Sequence, residues 1–316
     1  MRLRFFLRRG VMLLATLLVS SFIIFAALYA APGNPIAALS GGRSLPPESI
    51  ATLEERFHLN DPFMTRYVSW VGGVMHGDFG ISITKRQDVS TLIAARIGTT
   101  GALVLYASIM ILLIGIGLGI LSGLKPGLWD TGVLVVTAVS AAIPSFVAAI
   151  VLMLIFAVKL GWFPAIGTGE GFFGTIRHLT LPALALAVSS LAIVARVTRA
   201  SVREELAREH VQTAQSRGIP YAQIVRRHVL RNAAIPITTI SGITVASLIA
   251  LSAVVERAFA LNGLGAYLVA AAASKDFAIV QGISLVLVTA FVVMNVLVDV
   301  LYAVLDPRVQ LGSRAQ

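Results

Sequence analysis

Apolar residues fall into six blocks free of Asp, Glu, Lys and Arg, at 11–31, 98–124, 131–158, 179–195, 232–255 and 277–298. A helix needs roughly 20 apolar residues to cross the hydrocarbon layer. The pattern therefore predicts an all-α integral membrane protein of six spans, the fourth borrowing residues from its flanks. Between the first two blocks, Ile50, Leu53 and Phe57 recur at helical spacing behind Pro46-Pro47. Phe63, Tyr67, Val68, Val71 and Met75 then make an apolar stripe. The spacing predicts a small helical cap on the membrane surface. Between the fourth and fifth blocks, 201–216 suits a helix, with Glu204 placed to pair with Arg208 four residues on. Gly218 suits a left-handed helix end, Pro220 a helix start, and 221–230 a second helix. The product is a helix, a glycine turn and a helix.

Charge orients these elements. Arg2, Arg4, Arg8 and Arg9 precede the first block, which predicts a cytoplasmic N-terminus by the excess of Lys and Arg in inner loops. Alternation then puts 32–95 outside, 125–130 in a tight inner turn and 159–178 outside. It puts 196–231 inside, 256–276 outside and the tail from Asp306 inside. The stretch 196–231 carries Arg196, Arg199, Arg203, Arg208, Arg217, Arg226, Arg227 and Arg231 against Glu204, Glu205 and Glu209, as an inner loop should. The expected divisions are an N-terminus and first span (1–31), an external loop domain (32–95), a transmembrane core (96–305, with a cytoplasmic loop at 196–235) and a tail (306–316).

Composition agrees with a lipid solvent. The chain is 57% hydrophobic and 13% charged, about half the charge share of a soluble domain. Its mean hydropathy is +0.87. The net charge of +10 follows from retained inner-loop arginines, so nucleic acid is not expected as a partner. The first block is long and ends in Ala31-Pro32-Gly33-Asn34-Pro35, which reads as a retained span rather than a cleaved signal.

No catalytic or metal constellation is found. There is no cysteine. The histidines, His58, His76, His178, His210 and His228, form no HExxH pattern. No GxxxxGK[ST] phosphate loop exists, so ATP hydrolysis is not expected in this chain. Gly115, Gly117 and Gly119 lie within a span and read as close helix packing, with Gly119 and Gly123 four apart. Asp299, near the inner end of the last span and just past its charge-free block, is the one clear intramembrane ionisable group and is expected to be structural. Gly263 and Gly265 read as turn glycines, and Trp162 and Phe163 as interfacial anchors.

The stretch 210–236 reads HVQTAQSRGIPYAQIVRRHVLRNAAIP. It resembles the coupling loop of ATP-binding-cassette importer permeases, where an alanine-rich helix and a fixed glycine precede a downstream proline. Ala214 and Gly218 match, and His228-Val229-Leu230-Arg231-Asn232-Ala233 with Pro236 matches the peptide-permease form. Gln212-Thr213-Ala214 stands where the wider family has Glu-Ala-Ala. Ala31-Pro32-Gly33-Asn34-Pro35, Gly77-Asp78-Phe79-Gly80, Gly161-Trp162-Phe163-Pro164, Asn262-Gly263-Leu264-Gly265 and Leu305-Asp306-Pro307-Arg308 follow in order. The set resembles the dipeptide/oligopeptide permease family, and the long first external loop resembles its first-permease member.

That resemblance implies a non-catalytic, pore-forming type I importer subunit in the bacterial cytoplasmic membrane, importing di- or oligopeptides. It implies no cofactor in this chain, ATP being bound by two cytoplasmic partner subunits. It also implies a second homologous permease in a heterodimer and an extracytoplasmic substrate-binding protein. Contact with the ATPases falls to Val211, Gln212, Thr213, Ala214, Ser216, Arg217, Gly218 and Ile219, with the apolar, small-residue part as the handle. Pro144, Ser145, Ser241, Thr244 and Ser247 are the expected translocation path. Relatives of this type also carry nickel chelates, glutathione or haem. An ion-coupled secondary transporter is the rival, and it needs a midplane carboxylate or histidine.

Overall fold

The computed structural model describes residues 2–30, 48 and 61–305. Its helices are α1 (Arg2–Tyr29), α2 (Phe63–Met75), α3 (Val89–Leu124), α4 (Leu128–Ala142), α5 (Ser145–Lys159), α6 (Gly171–Leu206), α7 (Glu209–Ser216), α8 (Tyr221–Ala258), α9 (Leu264–Ala273) and α10 (Phe277–Leu305). The helix expected over 48–58 lies outside the described residues apart from Glu48, as do 31–47 and the tail. Helices α1, α3, α6, α8 and α10 are each long and apolar enough to cross a membrane, and the bent pair α4–α5 makes a sixth when taken as one span.

That sixth span departs from expectation. The block 131–158 is not one straight helix, since α4 and α5 meet at 102°. Pro144 lacks an amide proton and crowds the residue before it into an extended conformation. Ile143 accordingly has φ −89° and ψ 114°. The second span also starts earlier than its charge-free block: α3 begins at Val89 and runs straight through the division expected at 95/96.

The chain forms two compact units, 1–100 with 262–292, and 101–261 with 293–316. In the first, α2 lies along the later half of α1 through an aromatic seam. Phe25 meets Phe63, Tyr67 and Trp70 with ring centroids 5.4–5.7 Å apart. Ser21 Oγ and Tyr67 Oη are hydrogen-bonded at 2.9 Å. The start of α3, α9 and the start of α10 share a core of Val89, Leu92, Ile93, Leu264, Ala271, Ile279 and Ile283. Beside it Asp276, fully buried, accepts bonds from Ser82 Oγ (2.6 Å), Thr84 Oγ1 (2.6 Å) and Thr84 N (2.9 Å). Gly265 is a buried helical residue of α9 and not the turn glycine the sequence suggested.

In the second unit α6 is the hub, packing on α3, α4, α5 and α8. Its buried face is built from Ala183, Ala185, Ala187, Ala192 and Ala195 among others. Small residues let helix backbones approach closely in lipid, where van der Waals packing replaces the hydrophobic drive. Helix α3 answers with Gly115, Gly119 and Gly123, which sit against Val194, Thr198 and Val202. A Cβ on Gly119 would lie 2.4 Å from Thr198 Cβ, while one on Gly117 would meet nothing within 4 Å. The glycine spacing that packs is therefore 115, 119, 123 and not 115, 117, 119.

Candidate coupling site between α6 and α8

The charged stretch after the fourth apolar block is mostly helix. Helix α6 continues to Leu206, and the chain breaks only at Ala207 and Arg208 before α7 begins. The helix expected over 201–216 is thus two elements. Arg208 sits in extended conformation at ψ 145°. Its guanidinium folds back on the last turn of α6, with Nη2 2.6 Å from Glu204 Oε1 and Nε 3.7 Å from Glu205 Oε1. Glu205 also accepts from Asn232 Nδ2 at 3.2 Å.

Helix α7 ends as the sequence suggested. Gly218 has φ +73°, its amide donates to Gln215 O at 2.9 Å, and the Ile219 amide donates to Ala214 O at 3.2 Å. These two bonds form a Schellman cap, which requires the left-handed residue. The expected second helix over 221–230 has no end of its own. It passes through a π-turn, Val225–Val229, into the long span α8.

The faces of α7 are the reverse of the expected handle. Val211 and Ala214 are buried with Val202, Ile224, Val229, Ala233 and Ile237, flanked by Ile116, Ile120, Leu124, Leu206, Ile219 and Leu230. The apolar, small-residue face is thus spent on the chain's own core and holds α7 against the ends of α3, α6 and α8. Gln212, Thr213, Gln215, Ser216, Arg217 and Gly218 are exposed, and Ile219 is half-buried. An amphipathic helix this short presents its polar face once its apolar face is satisfied.

The expected path residues divide. Pro144 is exposed at the α4–α5 break and Ser145 opens α5. Ser241 and Thr244 are buried on α8, on the same face as Leu248 and Ser252, and Ser247 Oγ bonds back to Thr244 O at 2.7 Å. Ser241 Oγ is buried without a hydrogen-bond partner.

One polar group escaped the sequence reading. Asp130, at the start of α4, is 8% exposed. Its carboxylate accepts from Arg199 Nε at 2.5 Å and Nη2 at 3.0 Å, from Arg203 Nη2 at 2.7 Å and from Ser122 Oγ at 2.5 Å. Arg196 Nη2 donates to the Thr137 carbonyl at 3.0 Å. These arginines are helix residues packed on α4, and not only loop charges. The available signal was their spacing of three and four, which puts them on one helical face, opposite the single acid of the inner turn. Asp299, half-buried on α10, is not the only ionisable group within the spans, because Asp130 and fully buried Glu256 join it. Among the described residues no cluster of His, Asp and Glu could hold a metal.

Comparison with known proteins agrees along nearly the whole chain. The family model described as "Binding-protein-dependent transport system inner membrane component" matches residues 115–311, and its N-terminal companion matches 2–104. The oligopeptide transport system permease protein OppB of Salmonella typhimurium is 35% identical over 310 residues, covering 98% of this chain and 99% of that one. AppB of Bacillus subtilis, likewise described as an oligopeptide transport system permease, is 35% identical over 316 residues, covering 97% and 99%. A chain of the MetNI methionine ABC transporter in an inward-facing conformation matches with a TM-score of 0.55 at 18% identity, covering 68% of this chain and 96% of that chain. That last likeness is one of fold.

Proposed function

The chain belongs to the binding-protein-dependent transport system inner membrane components, and on that premise we propose that it is the first-permease subunit of an ATP-driven importer of di- and oligopeptides. It is a multi-pass membrane protein with the type I importer permease fold. In the proposed machine a second, homologous permease completes the pore, two cytoplasmic ATP-binding subunits dock on this side, and an external binding protein delivers cargo. The N- and C-termini face the cytoplasm, as does α7.

The observation that carries this reading is the two-faced seating of α7. Val211 and Ala214 fix it in the core at the junction of α6 and α8, while its polar face is open. The docking surface on the ATPases is therefore the face of Gln212, Thr213, Gln215, Ser216 and Arg217, and Val211 with Ala214 transmits the push. A ligand shifts an equilibrium only by its differential affinity for the two states. The ATPases must hold this face differently in their open and closed forms, and the spans then rock with α7. The path proceeds past Pro144 and Ser145, with Ser241, Thr244 and Ser247 of α8 supplying hydroxyls to passing amides once the spans part. The unpaired Ser241 Oγ favours such a rearrangement, because a buried unsatisfied hydroxyl costs about 1–3 kcal/mol.

Reconstitution in proteoliposomes with all partners tests the reading. Labelled peptide uptake should require ATP and the binding protein and should survive an uncoupler. Uptake abolished by the uncoupler but indifferent to ATP would establish the secondary transporter instead. Nickel chelate, glutathione or haem imported in place of peptide would keep the machine and change the cargo.

A further inference from the structure

The clamp around Asp130 goes further than holding two helices together. Its four donors come from two other elements. Ser122 lies at the cytoplasmic end of α3, and Arg199 and Arg203 lie at the α7-bearing end of α6. A basic residue serving only as a topology signal belongs in water at the interface. Arg199 and Arg203 are turned onto α4 instead, with side chains 22% and 37% exposed against 12% for Asp130. Removing one partner of a buried ion pair leaves an uncompensated charge. Here it would leave two facing guanidiniums.

The clamp also stands directly beside the seat of α7. Leu124, two residues beyond Ser122, and Val202, between the two arginines, belong to the apolar cluster that receives Val211 and Ala214. Farther along, the ridge of Gly115, Gly119 and Gly123 closes α3 onto α6, and Arg196 ties α6 to the α4 backbone. We propose that Asp130 is a positioning residue for coupling. It locks the ends of α3, α4 and α6 into one body, so that displacement of α7 moves three spans together instead of bending the end of α6 alone. This deepens the coupling reading above and rests on it.

The test uses the assembled complex in proteoliposomes carrying Asp130→Asn, Asp130→Glu or Arg203→Gln, and reads peptide imported per ATP hydrolysed. Coupling free energies of 1–3 kcal/mol correspond to about 5–150-fold effects, so the ratio in Asp130→Asn should fall about tenfold. Asp130→Glu, which keeps the charge, should restore most of it. A merely stabilising contact would lower the amount of assembled complex and leave the ratio alone, and an unchanged ratio in Asp130→Asn overturns the proposal. Should that variant not assemble, Arg203→Gln keeps the paired bonds from Arg199 and should still lower the ratio by about fivefold, at the small end of such couplings. An unchanged ratio there is equally fatal. A wild-type complex that hydrolyses ATP without import overturns the transport reading and the clamp's role with it, whereas normal coupling in wild type and variants alike overturns the clamp only.

Discussion

Gly117 and Gly119 stand two residues apart on α3 and meet opposite surroundings. A methyl on Gly119 would press on Thr198 Cβ at 2.4 Å and on the Ala195 carbonyl at 2.6 Å, and a backbone atom cannot rotate away. Overpacking of this kind costs about 1–3 kcal/mol. Gly119→Ala should lower the thermal unfolding midpoint of the purified complex, whereas Gly117→Ala, facing open space, should leave it unchanged or raise it. Equal midpoints for the two variants would remove the glycine ridge from the account. Gly218 presents a different constraint: nothing crowds its Cβ position, but φ is +73°. An L-residue pays roughly 1–2 kcal/mol there, with Asn the least affected. Gly218→Val should therefore reduce both stability and co-purification of the ATPase subunits, and Gly218→Asn should retain most of each. Gly119 and Gly218 thus fail for unlike reasons, crowding at the first and backbone conformation at the second, and retention in Gly218→Asn marks the second as conformational.

Elements that face lipid were easier to read than elements that face each other. The six apolar blocks announced themselves because no backbone or charge can be left unsatisfied in hydrocarbon, and the Schellman end of α7 followed from one glycine. The C-terminal third of α6 was hidden because Arg196, Arg199 and Arg203 carry loop-like composition and acquire helix partners only when α4 arrives. The inward turn of Val211 and Ala214 was hidden for a related reason. An amphipathic octapeptide reads the same whether its apolar face meets a partner or its own chain. The 102° turn had a single sign, Pro144. Asp276 shows the same limit outside the apolar blocks. It stands immediately before α10, where an acidic cap is favourable, yet its stronger bonds run to Ser82 and Thr84, nearly two hundred residues away. Asp276→Ala would leave the proton of the fully buried Ser82 hydroxyl without an acceptor and cut the Thr84 tether of the 82–85 turn, at a cost of about 1–3 kcal/mol per unsatisfied group. Hydrogen exchange should then quicken at the Thr84 amide while the middle of α6 keeps its protection. Unaltered exchange at Thr84 would mean that Asp276 only caps its helix.

At the scale of the whole molecule the bent α4–α5 pair decides the topology, since a span crosses the membrane and a re-entrant loop does not. Its two ends can be placed against α6, a single helix of 36 residues and so about 54 Å long, enough for any bilayer. The Arg177–Arg196 interval covers about 28 Å of that length, close to the hydrocarbon thickness of roughly 30 Å. Asp130, at the start of α4, is bonded to the C-terminal end of α6. Beyond α5, Trp162 O accepts from Arg177 Nη2 at 3.3 Å, beside the other end of α6. The bent pair therefore begins beside one end of α6 and finishes beside the other, as a crossing span would. Helix α8 returns the chain likewise, because Phe259 O, just past its end, accepts from Gly167 N at 3.2 Å. With α4–α5 as a span, four crossings precede α7 and would return it to the side of the N-terminus, whereas a re-entrant α4–α5 would leave it on the opposite side. The absence of cysteine makes the choice measurable without background from this chain. Met75, 79% exposed at the end of α2, and Gln215, on the open face of α7, are suitable positions for single cysteines. In intact cells a membrane-impermeant maleimide should modify Met75→Cys and spare Gln215→Cys. Permeabilisation should open Gln215→Cys to the reagent, and bound ATPase subunits should shield it again. Modification of both positions from the same side would contradict the crossing of α4–α5 and, with it, the cytoplasmic docking of α7.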